Sequence, residues 1–439
     1  MTVGCARRSG VTTTTPNIQG GEYDAGGLPR AIISVNSLML HKAVPGIMRQ
    51  PAAETVLACE PQVRIGSSAQ PVPAAAAAEL QRQIGHEQAG LALAFVSSRY
   101  DRDALARDLR REFGALPLIG CTTAGEIGPL GYMDGGLSGL SFGRADLIYE
   151  VGLIEGVSRL DNRRGQAFAY GLRQRLAQRV EPFDTNRCFA LLLIDGLCGH
   201  EEPVARAIHD GLGGIAMAGG SAGDGLDFRQ TAVLYDGRFH TDAAVLLVAA
   251  TPHPFTTFKT QHFVCGAQRM VLSGAIPEQR IATEINGFPA AREYARTIGL
   301  ELSQLDPMVF SAHPMVVKVG GAEFVRSIQK VNPDGSLTFF CAIDEGIVFN
   351  VAQGVDLVDN LNTLFGDIEQ RIGPPRLVIG CDCILRRLEL VQNGAIDKVS
   401  AILRQHHVVG FSTYGEQFRG MHVNQTFTGI AIGARRAAA

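Results

Sequence analysis

Two ten-residue stretches far apart in the chain are close copies of one another: "LIGCTTAGEI" at 118–127 and "VVGFSTYGEQ" at 408–417. A shorter third version, "AMAGGSAGD", stands at 216–224. Each runs from an apolar stretch into a hydroxyl residue and then a glycine followed by an acid: Thr123-Ala124-Gly125-Glu126, Ser221-Ala222-Gly223-Asp224 and Thr413-Tyr414-Gly415-Glu416. The surroundings repeat as well. An apolar run, a helical stretch, the copied strand and turn, and a closing apolar run recur in that order three times. A chain built this way is constrained to three β-α-β-turn-β units, because each repeat is one supersecondary unit that must bury its apolar face against its neighbours.

In the first unit, "AAAAAELQRQIG" from Ala74 is made of strong helix formers, and "LALAFVS" at 91–97 is a short continuous apolar run typical of a buried strand. "DRDALARDLRREFG" has an acidic start, apolar residues at helical spacing and a closing Gly114, which predicts a helix. The second unit reads "CFALLLIDG", the helical "EEPVARAIHDGLG", the turn, and "DAAVLLVAAT"; the third reads "RLVIGCDC", a helical stretch ending near "AILRQHH", the turn, and "QTFTGIAIG". Between Phe255 and Gly354 the texture changes to alternation, which predicts mostly antiparallel sheet, with "NPDG" at 332–335 as a hairpin turn. Inside that segment an Ala-rich helix is expected to begin near Pro289 and to stop at Gly299. The fold class expected is therefore mixed α/β (α+β), with repeated units and an antiparallel C-terminal portion.

With 439 residues, 46% of them apolar, the chain can bury more than one core. The domains expected are 56–253 and 254–433, after a disordered leader at 1–55 rich in Thr, Gly and Pro and before a tail at 434–439. A formal net charge of -3 carries no basic excess for nucleic acid or an anionic membrane surface. The longest apolar runs fall well short of the roughly 18 residues of a bilayer span, and the N-terminus has no apolar signal region, so a cytoplasmic location is expected. Nine scattered cysteines fit free thiols in a reducing compartment.

The turns carry the chemistry. Backbone N–H groups, a hydroxyl and a carboxylate at the C-terminal edge of a sheet stand where ligands of α/β sheets bind, which makes Thr123, Gly125, Glu126, Ser221, Asp224, Thr413, Gly415 and Glu416 the expected ligand-binding residues. The alternative is structural: glycine serving a tight turn, with hydroxyl and acid satisfying local backbone donors. No P-loop or dinucleotide fingerprint is present. "GGSAG" matches a nucleophile elbow by letter, but a turn and strand follow it in place of a helix. Cys381 with Cys383, and Cys198 with His200, lack Cys-x-x-Cys spacing. Cys-x-x-Cys-His is absent too, so any haem would need axial ligation alone. His240, His422 and His262 all lie at strand edges, and periodicity does not choose among them.

"LIGCTTAGEIGPLGYMDGG" resembles the FIST N-terminal domain, and "INGFPAAREYARTIGL", "NPDGSLTFF" and "VVGFSTYGEQFRGMHVNQTFTG" resemble the FIST C-terminal domain. Members of that family are sensory modules proposed to bind small ligands such as amino acids. "GCTTAGEIGPLGY", "CDCILRR" and the third-unit turn are most similar to the NosP-type members, which sense nitric oxide through haem. That resemblance implies haem b held by a histidine, with His240 the first choice as metal ligand and His422 and His262 behind it. It also implies nitric oxide as ligand, and signalling to a separate histidine kinase or to a diguanylate cyclase or phosphodiesterase. A homo-oligomer is compatible with it.

Two other readings remain open on the residues themselves. One is a haem-free receptor for an amino acid or similar small polar ligand, held by the three turns. The other is an enzyme with Glu126, Asp224 or Glu416 as general base, which lacks a paired nucleophile; no catalysis is expected.

Overall fold

The computed structural model describes residues 61–319 and 321–434; the expected leader at 1–55, and the tail apart from its first residue, lie outside them. The three units are there, and they are more alike than their sequences. In the first, the order is Arg64–Ser68, helix Pro73–Ile84, Ala89–Ser97, helix Arg102–Phe113, Leu118–Thr123, a small hairpin (Glu126–Gly128 with Gly131–Met133) and Leu137–Gly143. Local rules account for the helices. Asp101 caps the second one by accepting from the Ala104 N–H at 2.7 Å, and Gly114 ends it at φ 57°. The second unit repeats the order with Ile148–Glu155, Asn162–Ala177, Cys188–Ile194, Glu201–Leu212, Ala216–Ser221, the hairpin Val233–Tyr235 with Arg238–His240, and Ala243–Ala250. The third has Phe255–Gln261, Leu357–Ile372, Pro375–Cys383, two short helices (Ile384–Gln392 and Ile396–Gln405), Val408–Thr413, the hairpin Glu416–Phe418 with Met421–Val423, and Thr426–Gly433.

Each unit forms one six-stranded sheet in the same order: opening strand, closing strand, the two central strands, then a hairpin. The central pair is parallel and the rest antiparallel. The hairpin, however, never belongs to the unit whose sheet it completes. The second unit's hairpin extends the first sheet, the third unit's extends the second, and the first unit's extends the third. The exchange closes a ring. The copied glycine three residues before each threonine has a backbone reason: a Cβ on Gly120 would lie 1.7 Å from the Ala94 carbonyl oxygen, and one on Gly410 1.8 Å from that of Gly380.

The inner faces of all three sheets share one core, in which Phe95, Leu191, Val245, Ile379 and Phe411 are buried and the Phe95 and Phe411 rings stack with centroids 4.9 Å apart. Helices cover each outer face. Both faces being buried explains why the central strands read as unbroken apolar runs. Residues 263–354 form an insertion, an antiparallel sheet with its own core around Tyr294, Phe310 and Phe349. There the helix Ala290–Ile298 follows Pro289 and ends at Gly299, and Ile328–Val331 turns into Leu337–Phe339 at "NPDG", as expected. The opening strand Phe255–Gln261 belongs instead to the third unit's sheet. The expected boundary at 253/254 falls between Ala243–Ala250 and Phe255–Gln261, and hairpins cross it in both directions. No helix among the described residues is long and apolar enough to cross a membrane, and the seven cysteines within them are all free thiols.

Candidate functional site

Because hairpins are exchanged cyclically, the three turns converge. The Ala124 N–H donates to the Ser412 carbonyl (2.9 Å) and the Ser412 N–H returns to that of Gly125 (2.7 Å). The Ser221 N–H donates to the Gly415 carbonyl (2.8 Å), and the Gly223 N–H to that of Thr122 (3.0 Å). The Tyr414 hydroxyl donates to the Asp224 carboxylate. Thus every turn is hydrogen-bonded to the other two, and the repeated motif is the joint of the ring.

Within the joint the acids are engaged internally. The Thr123 hydroxyl donates to Glu126 at 2.6 Å and the Gly136 N–H to its other oxygen at 3.0 Å. Glu416 repeats this arrangement with the Thr413 hydroxyl at 2.5 Å and the Thr426 hydroxyl at 2.7 Å. Both are fully buried, and burial pushes the Glu126 carboxyl up to about 7 and that of Glu416 up to about 8. Asp224 accepts from the backbone N–H groups of Phe228, Arg229 and Gln230 at 3.0, 2.8 and 2.7 Å and so shapes the loop after the second turn. Ser221 Oγ accepts from Gln417 at 2.8 Å.

One side of the joint is open. A pocket of ≈180 Å³ lies at the C-terminal ends of Ala89–Ser97 and Leu118–Thr123. Of the eight expected ligand-binding residues, Thr123, Gly125, Glu126 and Asp224 line it. Ser221, Thr413, Gly415 and Glu416 are not among its lining residues and are buried in the joint itself. Sequence reasoning missed Ser98, Arg99, Asp134 and Asp227, which also line it. Arg99 is exposed there, held at its backbone by Ser97 Oγ (3.2 Å). Its position directly after a central strand was the available signal.

Residues 90–287 match the FIST N domain and residues 290–419 match the FIST C domain. The chain belongs to the FIST family. FIST domains are sensory domains that bind small ligands, so the role of this chain is sensory, in signal transduction. No curated protein matches it in sequence. Among solved structures it is similar to two chains titled as cyanuric acid hydrolase, one of them from A. caulinodans. Both are 8% identical with a TM-score of 0.35; they cover 86% and 85% of this chain and 100% of their own length.

The "CDCILRR" stretch now has a structural account. Arg386, fully buried, donates through Nε to Asp382 (2.7 Å) and through Nη1 to His262 Nδ1 (2.8 Å), and the Tyr132 hydroxyl of the first unit's hairpin also donates to Asp382. Its neighbour Arg387 pairs with Asp134. The two arginines fasten the exchanged hairpin of the first unit to the third.

The surroundings of the three histidines decide whether they suit a haem iron. His240 is half-buried at the edge of its hairpin, with Nδ1 3.3 Å from Glu155. His262 has both ring nitrogens engaged, Nε2 with Glu389 at 2.6 Å and Nδ1 with Arg386. His422 is buried against Gly415, where an added Cβ would lie 2.2 Å from its ring, and burial pulls its imidazole down to about 4. None of the three lines the cavities of ≈600, ≈490, ≈470 and ≈440 Å³. His422 Nε2 is buried without a hydrogen-bond partner among the described residues, but with no such cavity beside any of the three, the histidines as placed do not fit an iron-bound role. His86, which sequence reasoning had not singled out, does line two of these cavities. Among the described residues no group of three or more His, Cys, Asp or Glu side chains is arranged to hold a metal.

Proposed function

We propose that the chain is a haem-free receptor for a small zwitterion of the amino-acid class, bound in the pocket beside the joint without turnover. The observation that supports this most is the lining of that pocket. Arg99 carries no ion pair among the described residues and suits a carboxylate, while the exposed Asp227 offers negative charge for an ammonium group. A volume of ≈180 Å³ is that of about six waters at ~30 Å³ each, which matches a ligand of a few heavy atoms. Turnover is not part of the reading, because the oxygens of the buried acids are already occupied by hydroxyl and backbone donors of the joint itself. A ligand closing the open side of a joint shared by all three units biases their packing, and a separate partner such as a histidine kinase or a cyclic-di-GMP enzyme reads that bias.

A thermal-shift screen of amino acids tests the reading. A ligand at 100 times its Kd adds about 2.7 kcal/mol of stability, and Arg99→Gln is expected to abolish the shift. An absorption spectrum of the same preparation is expected to show no haem band. A haem band that shifts with nitric oxide, together with no amino-acid shift, would overturn the proposal in favour of a gas sensor.

A further inference from the structure

A second cavity, at the opposite end of the first sheet, has no part in the joint. It is a groove of ≈600 Å³ over the start of Leu118–Thr123, bounded by the end of the helix Arg102–Phe113, the edge strand Ile148–Glu155 and the tip of the exchanged hairpin at Asp236-Gly237. A neighbouring cavity of ≈440 Å³ shares Phe113, Leu116, Tyr149 and Arg179 with it, so the two form one continuous trough.

Its walls combine aromatic rings with cations. The Tyr149 hydroxyl donates to the Gly90 carbonyl at 2.7 Å, which fixes its ring in place. Tyr235 is half-buried across the groove. Arg110 lays its stem over Gly237, where even a Cβ would approach its Cδ to 3.0 Å, and its guanidinium makes no ion pair among the described residues. Arg179 pairs with Glu150 at 2.7 Å, and Arg175 shares that carboxylate at 3.2 Å. Arg110 and Arg179 line the groove with the acids Glu150 and Asp236, and because Glu150 is already engaged by Arg175 and Arg179, Arg110 is the cation left to meet a ligand's charge. At the far end of the trough, His86 has a buried Nε2 with no hydrogen-bond partner among the described residues.

We propose that this groove is a second ligand site, for a planar aromatic anion whose ring lies against Tyr149 and Tyr235 and whose charge is met by Arg110. The volume lies in the range of pockets that enclose such molecules, and a fixed aromatic platform with an uncommitted arginine is the arrangement that recognises them. The site does not depend on the proposed zwitterion pocket.

Fluorescence titration of the full chain with 8-anilinonaphthalene-1-sulfonate is the test. Saturable one-to-one binding is expected, weakened about tenfold or more by Arg110→Glu and by Tyr235→Ser and unchanged by Arg99→Gln. Displacement by AMP would name a phosphate-bearing ring, and displacement by haemin a carboxylate-bearing one. Equal probe affinity in all variants, or displacement by neither compound, would overturn the proposal.

Discussion

Arg387 and Gly125 meet in the joint so closely that a Cβ on the glycine would stand 1.5 Å from Nη1 of the arginine. The guanidinium cannot simply swing away, because Nη2 is paired with Asp134 at 2.5 Å and Nη1 also reaches the Ala124 carbonyl at 3.3 Å. The same glycine has φ 132°, outside the range that side-chain-bearing residues favour. The glycine of the repeated motif thus makes room for a contact between the first and third units.

Gly125→Ala is therefore expected to destabilise the fold by about 2 kcal/mol or more, from backbone strain plus displacement of Arg387. A double-mutant cycle separates the two effects. In an Arg387→Ala background the alanine should cost measurably less, and equal costs in urea titrations of both backgrounds would show that the clash contributes nothing.

The fully buried Arg386 supports a sharper expectation. Asp382 is buried with it, and His262 and Tyr132 complete the cluster. Removing the cation by Arg386→Ala leaves a buried carboxylate without its partner, for an expected loss of about 3–5 kcal/mol. Asp382→Asn together with Arg386→Met should recover part of it, read as the denaturation midpoint.

Glu416 gives stability a pH dependence of defined sign. Its folded carboxyl titrates near about 8 because burial disfavours its charge, whereas the unfolded group titrates in the usual carboxylate range. Between those values the folded state holds a proton that the unfolded state has released. The group's contribution is complete below the unfolded pKa and is lost as pH rises toward about 8. Glu126, near about 7, acts in the same direction. Replacing Glu416 with Gln should flatten the decline in melting temperature between pH 5 and 8, within the ~4–8 window these values define; an unchanged slope would assign the decline elsewhere.

Much of this was legible in the residues. Capping and periodicity located the helices at 102–113 and 290–298, and the threefold copy announced three units. The exchange of hairpins was not legible, since alternation in "EIGPLGYM" specifies a hairpin but not the sheet it joins, which is decided by contacts hundreds of residues away. Local letters equally could not tell that Glu126 lines a pocket while its copy Glu416 is sealed. That difference arises from what packs on each turn, including the His422 ring set against Gly415. The histidines were singled out by strand-edge position, a signal that carries no information about whether a cavity lies beside them.

The exchange itself yields the last prediction. A fragment of residues 61–253 retains the complete first sheet, because the hairpin at 233–240 is within it. The second sheet loses the hairpin at 416–423, which leaves the strand Ala216–Ser221 as an open edge, and the hairpin at 126–133 loses the strand Val408–Thr413 it pairs with. The shared core would also be stripped of Ile379, Val409, Phe411 and Ile430, each worth about 1.5–3 kcal/mol when buried. The fragment is expected to be insoluble or molten alone, and to gain cooperative unfolding when co-expressed with residues 254–434. A cooperative, monomeric 61–253 fragment would show instead that the first two units are self-sufficient and that the exchanged hairpins add little to their stability.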